Sequence, residues 1–382
     1  MSHVQAQIEK HYHSELVESV RAQGGRLRFG TTTLHLAKEF GFCYGVERAI
    51  DLAYAAGKVF SDKNIYLLGE IIHNPDVNAQ IAALGIHCLP PRPKPDDLAI
   101  LKPEDVVIVP AFGAEASLIA LVKEIGCQIV DTTCGDVMSV WKRVRQNATE
   151  GVTSIIHGKA DHEETRATAS RALGADGKGQ YLIVLDMEET RAVADYILHG
   201  GDPAAFLQRF AGKTSEHFDP ALHLQRIGVA NQTTMLRSET EAIQAHLRSA
   251  ITERDQGDTS HFRYFDTICG ATQDRQDSLF HLLSEPLDLL IVVGGYNSSN
   301  TTHLVEIGIQ KLPTWFIRNA DCLTSEKELR HFDIHTKSEI TSSDWLPDRP
   351  ELVVGITVGA SCPNNLIEET IRRVLTLRGT PL

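Results

Sequence analysis

The chain lacks the short motifs that most often give a chemistry away. Its seven cysteines (43, 88, 127, 134, 269, 322 and 362) include no C-x-x-C pair, which removes zinc ribbons and thioredoxin-type redox motifs. Neither G-x-G-x-x-G nor G-x-x-x-x-G-K-[ST] occurs, so neither a dinucleotide fingerprint nor a P-loop is available. Long apolar runs are missing too: Leu287 to Val293, broken by Asp288, is far too short to span a bilayer. Basic excess is absent, since Lys plus Arg number 37 against 50 Asp plus Glu, a net charge of −13. That balance argues against broad nucleic-acid or anionic-membrane binding. The N-terminal stretch, with Glu9, Lys10, Glu15, Glu18 and Arg21, has no apolar core for a signal peptide and too many acids for a transit peptide. A soluble, cytoplasmic protein is the expectation, and reduced cysteines with it.

What remains is ordinary in bulk and informative in detail. With 382 residues, 42% apolar and 23% charged, the chain is long enough for two or three domains with well-buried cores. Glu39-Phe40-Gly41-Phe42-Cys43-Tyr44-Gly45-Val46-Glu47-Arg48 sets a cysteine between glycines at a strand-to-helix turn. After it Val46, Ala49, Ile50 and Ala53 fall at helical spacing. Asp131-Thr132-Thr133-Cys134-Gly135 repeats the design, with Val137, Val140, Trp141 and Val144 behind it. Asp266-Thr267-Ile268-Cys269-Gly270 is a near copy of the second. The pattern reads as three equivalent cysteines on three equivalent turns.

Between these turns, apolar strands keep ending in polar loops, while helical patterns fill the gaps. Such alternation predicts an α/β protein with mainly parallel sheets, whose ligands bind beyond the carboxyl ends of the strands. Residues 1–30 read as an N-terminal extension with a short surface helix, and Pro75 as a residue that halts any helix and leaves His73 on a loop. Residues 90–95 form a proline-rich excursion, and 199–222 an insertion of local helix and loop. The polar strand-end residues His73, His162, Glu164, Thr233, Ser298, Ser299, Asn300 and Ser361 would converge with the three cysteines if the units faced one another.

Three thiolates from distant segments can hold a single zinc ion or an iron–sulfur cluster, and ligand softness permits both. A four-iron cluster on three thiolates would leave one iron open to a substrate oxygen. Asn297-Ser298-Ser299-Asn300 offers hydroxyl and amide donors ahead of a helix, which suits a phosphate or diphosphate, although capping alone explains any one of them. His162 and Glu164, two apart on one loop, suit anion binding and proton relay. Cys88, Cys127, Cys322, Cys362, His157, His261 and His303 read as structural or surface residues. Lys142, Arg143 and Arg145 read as a solvated helix face, with docking of an acidic electron carrier as the sharper reading.

Taken together, Gly41-Phe42-Cys43-Tyr44-Gly45-Val46-Glu47-Arg48, Ile72-His73-Asn74, Asp131-Thr132-Thr133-Cys134, His162-Glu163-Glu164, Asn231-Gln232-Thr233-Thr234, Asn297-Ser298-Ser299-Asn300 and Gly359-Ala360-Ser361 resemble, in order, the 4-hydroxy-3-methylbut-2-enyl diphosphate reductase family, in its plant and cyanobacterial branch. The resemblance spans about residues 31 to 375. It implies a trefoil of three similar α/β domains around a central iron–sulfur cluster: 31–130, 131–265 and 266–365, followed by a C-terminal helix and tail over 366–382. It further implies one 4Fe-4S cluster per chain on Cys43, Cys134 and Cys269. His73, His162, Ser298, Ser299, Asn300 and Ser361 would bind the diphosphate of an allylic substrate. Glu164 would supply the proton and Thr233 would orient the substrate hydroxyl.

A one-electron donor such as ferredoxin or flavodoxin is the implied partner. Where many bacterial members carry His-Gly, this chain has Phe112-Gly113, so Lys159 or a backbone N–H near Gly113 is expected to compensate. Gly135 stands where proline is common and Asn364 where aspartate is common. Two other readings use the same residues. A non-redox hydro-lyase would need no reductant, and an iron–sulfur sensor of a phosphorylated ligand would tolerate Glu164→Gln.

Overall fold

The computed structural model describes residues 2–265, 267–380 and 382. Asp266, the first residue of the third cysteine motif, lies outside them. The chain divides into two compact units. One comprises Met1–Ser61, Glu70–Ile86 and Gly270–Leu382, and the other Asp62–Gly69 and His87–Cys269.

In the first unit a five-stranded sheet runs in the order Arg26–Phe29, Thr32–Leu36, Leu352–Val358, Leu289–Val293, Thr314–Ile317. Only the first pair is antiparallel. Leu289–Val293 is buried at all five positions, as expected of a central parallel strand covered on both faces. Leu34, Val354 and Leu289 lie side by side in register and are completely buried. The C-terminal helix Asn364–Leu377 adds Leu366, Ile367, Ile371, Val374 and Leu375 to the same core.

The second unit holds an all-parallel sheet in the order Phe262–Tyr264, Ile227–Asn231, Thr153–His157, Tyr181–Val184. A separate parallel set pairs Ile65–Leu67 with Val106–Val109 and the latter with Gln128–Asp131. The helices predicted behind Cys43 and Cys134 are Tyr44–Val59 and Gly135–Thr149, and they bury the apolar positions that the spacing singled out. Mainly parallel α/β architecture is therefore what the sequence pattern specifies.

Three readings change. The short surface helix expected near the N-terminus is instead a pair, Ser2–Tyr12 and Glu15–Ala22, ahead of an edge strand, and Val17 and Val20 are fully buried in the first unit's core. Burying such a side chain contributes roughly 1.5–3 kcal/mol, and Ser14 Oγ ties the segment to Glu368 at 2.5 Å. Pro75 does not stop a helix but opens one, Pro75–Ala83, at the first helical position, where its missing N–H costs nothing. The hairpin Glu328–Asp333 with Ser338–Ser343 was not foreseen, because its second strand carries almost no apolar pattern.

Candidate active site

The three turn cysteines share a local design. Cys43 and Cys134 are the N-cap residues of Tyr44–Val59 and Gly135–Thr149, and Cys269 directly precedes Gly270–Leu282. Each is half-buried. Each donates its backbone N–H to a carbonyl in another strand-end loop: Cys43 to Ala360 at 3.1 Å, Cys134 to Ala111 at 2.8 Å and Cys269 to Thr233 at 3.2 Å. Cysteine sulfur is the soft donor that suits zinc and iron–sulfur centres. The donor set therefore fits a metal or metal–sulfur group. Cys127 and Cys362 differ. Burial, above all, pushes both thiols upward, helped by Asp105 and Asp76 respectively, so they stay protonated.

In the first unit, three loops bring together the five substrate-binding residues predicted there, His73, Ser298, Ser299, Asn300 and Ser361. Ser298 caps Ser299–Ile309, its Oγ accepting from the Thr301 N–H at 3.3 Å. Asn300 is buried; its Oδ1 accepts from the Ala360 N–H at 3.0 Å, while its buried Nδ2 has no hydrogen-bond partner among the described residues. Ser361 Oγ donates to the His73 carbonyl at 3.2 Å. The approach is close: a Cβ on Gly295 would stand 2.2 Å from the His73 carbonyl oxygen, so only glycine fits there. An orphaned amide donor beside capping hydroxyls and the amides of a helix start is a cradle for an oxyanion.

In the second unit the buried His162 caps Glu163–Ala172, its Nδ1 accepting from the Glu164 N–H at 3.2 Å. Glu164 is 3% exposed, and its Oε1 accepts the Thr233 N–H at 2.6 Å. Since the Thr233 carbonyl receives the Cys269 N–H, the acid, the hydroxyl residue and one turn cysteine form a single hydrogen-bonded chain. Gln232 braces the same loops through its Oε1, which accepts from the Lys159 N–H at 3.2 Å and Thr165 Oγ1 at 3.1 Å. Phe112 meets the His162 ring edge-on at 6.5 Å. Gly113 has φ +81°, and a Cβ there would lie 2.3 Å from the Trp141 ring.

Several positioning residues escaped the sequence reading of roles. Asn74 caps Pro75–Ala83 and donates from Nδ2 to the Ser361 carbonyl at 2.8 Å. Its Asn-Pro step was the signal. Glu70 lies 3.1 Å from His73 Nδ1 and accepts from Asn297 Nδ2 at 2.8 Å. Arg275, buried, donates to the Gly41 carbonyl and so holds the Cys43 turn; nothing in its charged neighbourhood marks it out. His157 bonds Thr240 at 2.8 Å and His303 bonds Glu306 at 2.6 Å, both in structural roles.

Comparison with known proteins follows the same lines. The family model described as LytB protein matches residues 34–375. A relative from Gloeobacter violaceus called 4-hydroxy-3-methylbut-2-enyl diphosphate reductase is 46% identical over 98% of this chain and 90% of its own length. One of the same name from Thermosynechococcus vestitus is 46% identical over 98% and 92%. Among solved structures, that of (E)-4-hydroxy-3-methyl-but-2-enyl diphosphate reductase, the terminal enzyme of the non-mevalonate pathway, superposes with TM-score 0.54 at 25% identity, covering 91% of this chain and 99% of that one. The Plasmodium falciparum reductase gives TM-score 0.64 at 21% identity over 90% and 87%, a likeness of fold. Among the described residues no helix is long and apolar enough to cross a membrane. By sequence over nearly its whole length, and by fold, the chain belongs to the LytB family.

Proposed function

We propose that this chain reduces 4-hydroxy-3-methylbut-2-enyl diphosphate to isopentenyl and dimethylallyl diphosphates, the last step of the non-mevalonate isoprenoid pathway. The reaction takes in two electrons and two protons. One C–O bond breaks, one C–H bond forms and water leaves. The observation that carries the reading is the chain Glu164–Thr233–Cys269, which runs through the Thr233 backbone and ties a buried acid to a soft metal ligand.

On this reading Cys43, Cys134 and Cys269, one from each of three α/β domains, hold one 4Fe-4S cluster per chain. When bound, that cluster supplies single electrons and a Lewis-acidic iron. Ser298, Ser299, Asn300, Ser361 and His73 bind the diphosphate with hydroxyl, amide and imidazole donors at a helix start, and His162 adds a second imidazole. The substrate hydroxyl is oriented by Thr233. Glu164, shielded from bulk water, holds the proton that the allylic product takes up and is kept in place by the Thr233 amide. Electrons come from a ferredoxin- or flavodoxin-type carrier in the cytoplasm.

The test is purification without oxygen, assay of iron and sulfide, and measurement of substrate consumption with and without a reduced low-potential dye. Reductant-dependent appearance of both C5 diphosphates supports the reading. A cluster-loaded protein that leaves the substrate untouched in the presence of reductant overturns it.

A further inference from the structure

The second unit carries a surface that the proposed chemistry leaves unused. Gly135–Thr149, the helix capped by Cys134, bears Lys142, Arg143 and Arg145 against a single acid, Asp136, in a chain of net charge −13. All three basic residues are exposed. Basic side chains on an exposed helix face are ordinarily just solvated and need no further cause. That argument does not account for Met138, a thioether 40% exposed one turn beyond Cys134, whose N–H donates to the Cys134 carbonyl at 3.0 Å.

Nor does it account for the neighbouring strand end. Arg143 lies over the Phe265 ring at 4.9 Å from its centroid. Phe265 stands four positions before Cys269. Arg263 adds little charge, being paired with Glu150 at 2.5 Å. The segments that carry two turn cysteines thus touch through Arg143 and Phe265, and the exposed part of the Cys134 helix carries two guanidinium groups and a methionine. Those side-chain types are enriched in protein interfaces, and a local positive field on an acidic protein orients an acidic partner during encounter.

We propose that this surface docks the acidic face of a small one-electron carrier protein, placing it beside the Cys134 and Cys269 segments. The inference rests on the reductase reading. Each docking transfers one electron and leaves the carrier oxidised by one, so two carriers are consumed per substrate reduced.

The test uses the cluster-loaded protein and two electron sources, a reduced plant-type ferredoxin and a reduced low-potential dye that needs no docking surface. In the double variant Lys142→Glu/Arg143→Glu, ferredoxin-supported kcat/KM for the carrier should fall by about tenfold or more, while dye-supported turnover stays within about twofold. In the unmodified protein the ferredoxin-supported rate should fall as salt rises, with the dye-supported rate insensitive. Unchanged ferredoxin-supported turnover in the variant overturns the assignment, as does a salt-independent ferredoxin rate. A loss shared equally by dye and ferredoxin also overturns it, because it assigns these side chains to the integrity of the chain. Absence of dye-supported turnover in the unmodified protein is a different result, and sinks the reductase reading itself.

Discussion

The two units hold their candidate residues in opposite ways. In the first, the loops around Ser298, Asn300 and Ser361 are donor-rich and contribute no acid of their own to the cradle; Glu70 stands behind it, against His73 and Asn297. In the second, one carboxylate, Glu164, is buried and clamped by a backbone amide. A donor-rich cradle lowers the free energy of an anion in ground and transition states alike, which is binding. A shielded acid beside a hydroxyl residue acts only while a proton moves, which is catalysis. The difference predicts that substitutions of the cradle residues in the first unit change KM and that substitution of Glu164 changes kcat.

The strongest way to break that division is to remove what both halves depend on. Cys134→Ser replaces a soft thiolate with a hard hydroxyl, so iron should be lost along with activity, by more than about a hundredfold. Iron assay and visible absorbance check it; full iron content with full turnover would remove Cys134 from the ligand set. Next in size is Glu164→Gln, which keeps the shape and the Thr233 contact while deleting the proton. It should lower kcat by about 10²–10⁴-fold with KM little changed. A rise in KM alone would move Glu164 to the binding side of the comparison. Asn300→Ala should do the reverse. It removes a buried donor from the cradle, costing about 1.5–3 kcal/mol for a bond to a charged group, or roughly ten- to a hundredfold in KM. Steady-state kinetics at saturating reductant separates the two outcomes.

How far this arrangement was legible in the sequence depends on how local its cause is. The helices behind Cys43 and Cys134 follow from 3.6-residue spacing alone, and the polar clusters follow from strand ends, both of which are properties of a few consecutive residues. His73, Ser298, Asn300 and Ser361 were visible for that reason. The burial of Val17 and Val20 was not, because a two-turn helix becomes core only against Ile371 and Val374, some 350 residues away in sequence. Arg275 was hidden for a similar reason. In Gln273-Asp274-Arg275-Gln276-Asp277 it looks like solvated surface, and only the fold brings it to the Gly41 carbonyl. Tyr296 belongs with these: its ring stacks on Phe332 of the unforeseen hairpin at 4.8 Å, steadying the loop that leads into Ser298.

The smallest expected effect sharpens the comparison most, because it asks whether the second unit can be given more binding character. Phe112 puts an apolar ring edge-on to His162, next to the carbonyl that receives the Cys134 N–H. Phe112→His adds one ring nitrogen there at little change in volume. If the second unit lacks a diphosphate donor at this point, KM should fall by about two- to tenfold, the worth of one ordinary hydrogen bond of about 0.5–1.5 kcal/mol, while kcat is unchanged. Lys159, whose loop is fixed by the Gln232 contact, is the side chain expected to compensate in the natural sequence. Lys159→Ala should therefore raise KM in the Phe112 protein and raise it less in the Phe112→His protein, a coupling that a double-mutant cycle reads directly. Equal effects in the two backgrounds would make Lys159 independent of the missing histidine and leave the backbone N–H near Gly113 as the compensating donor.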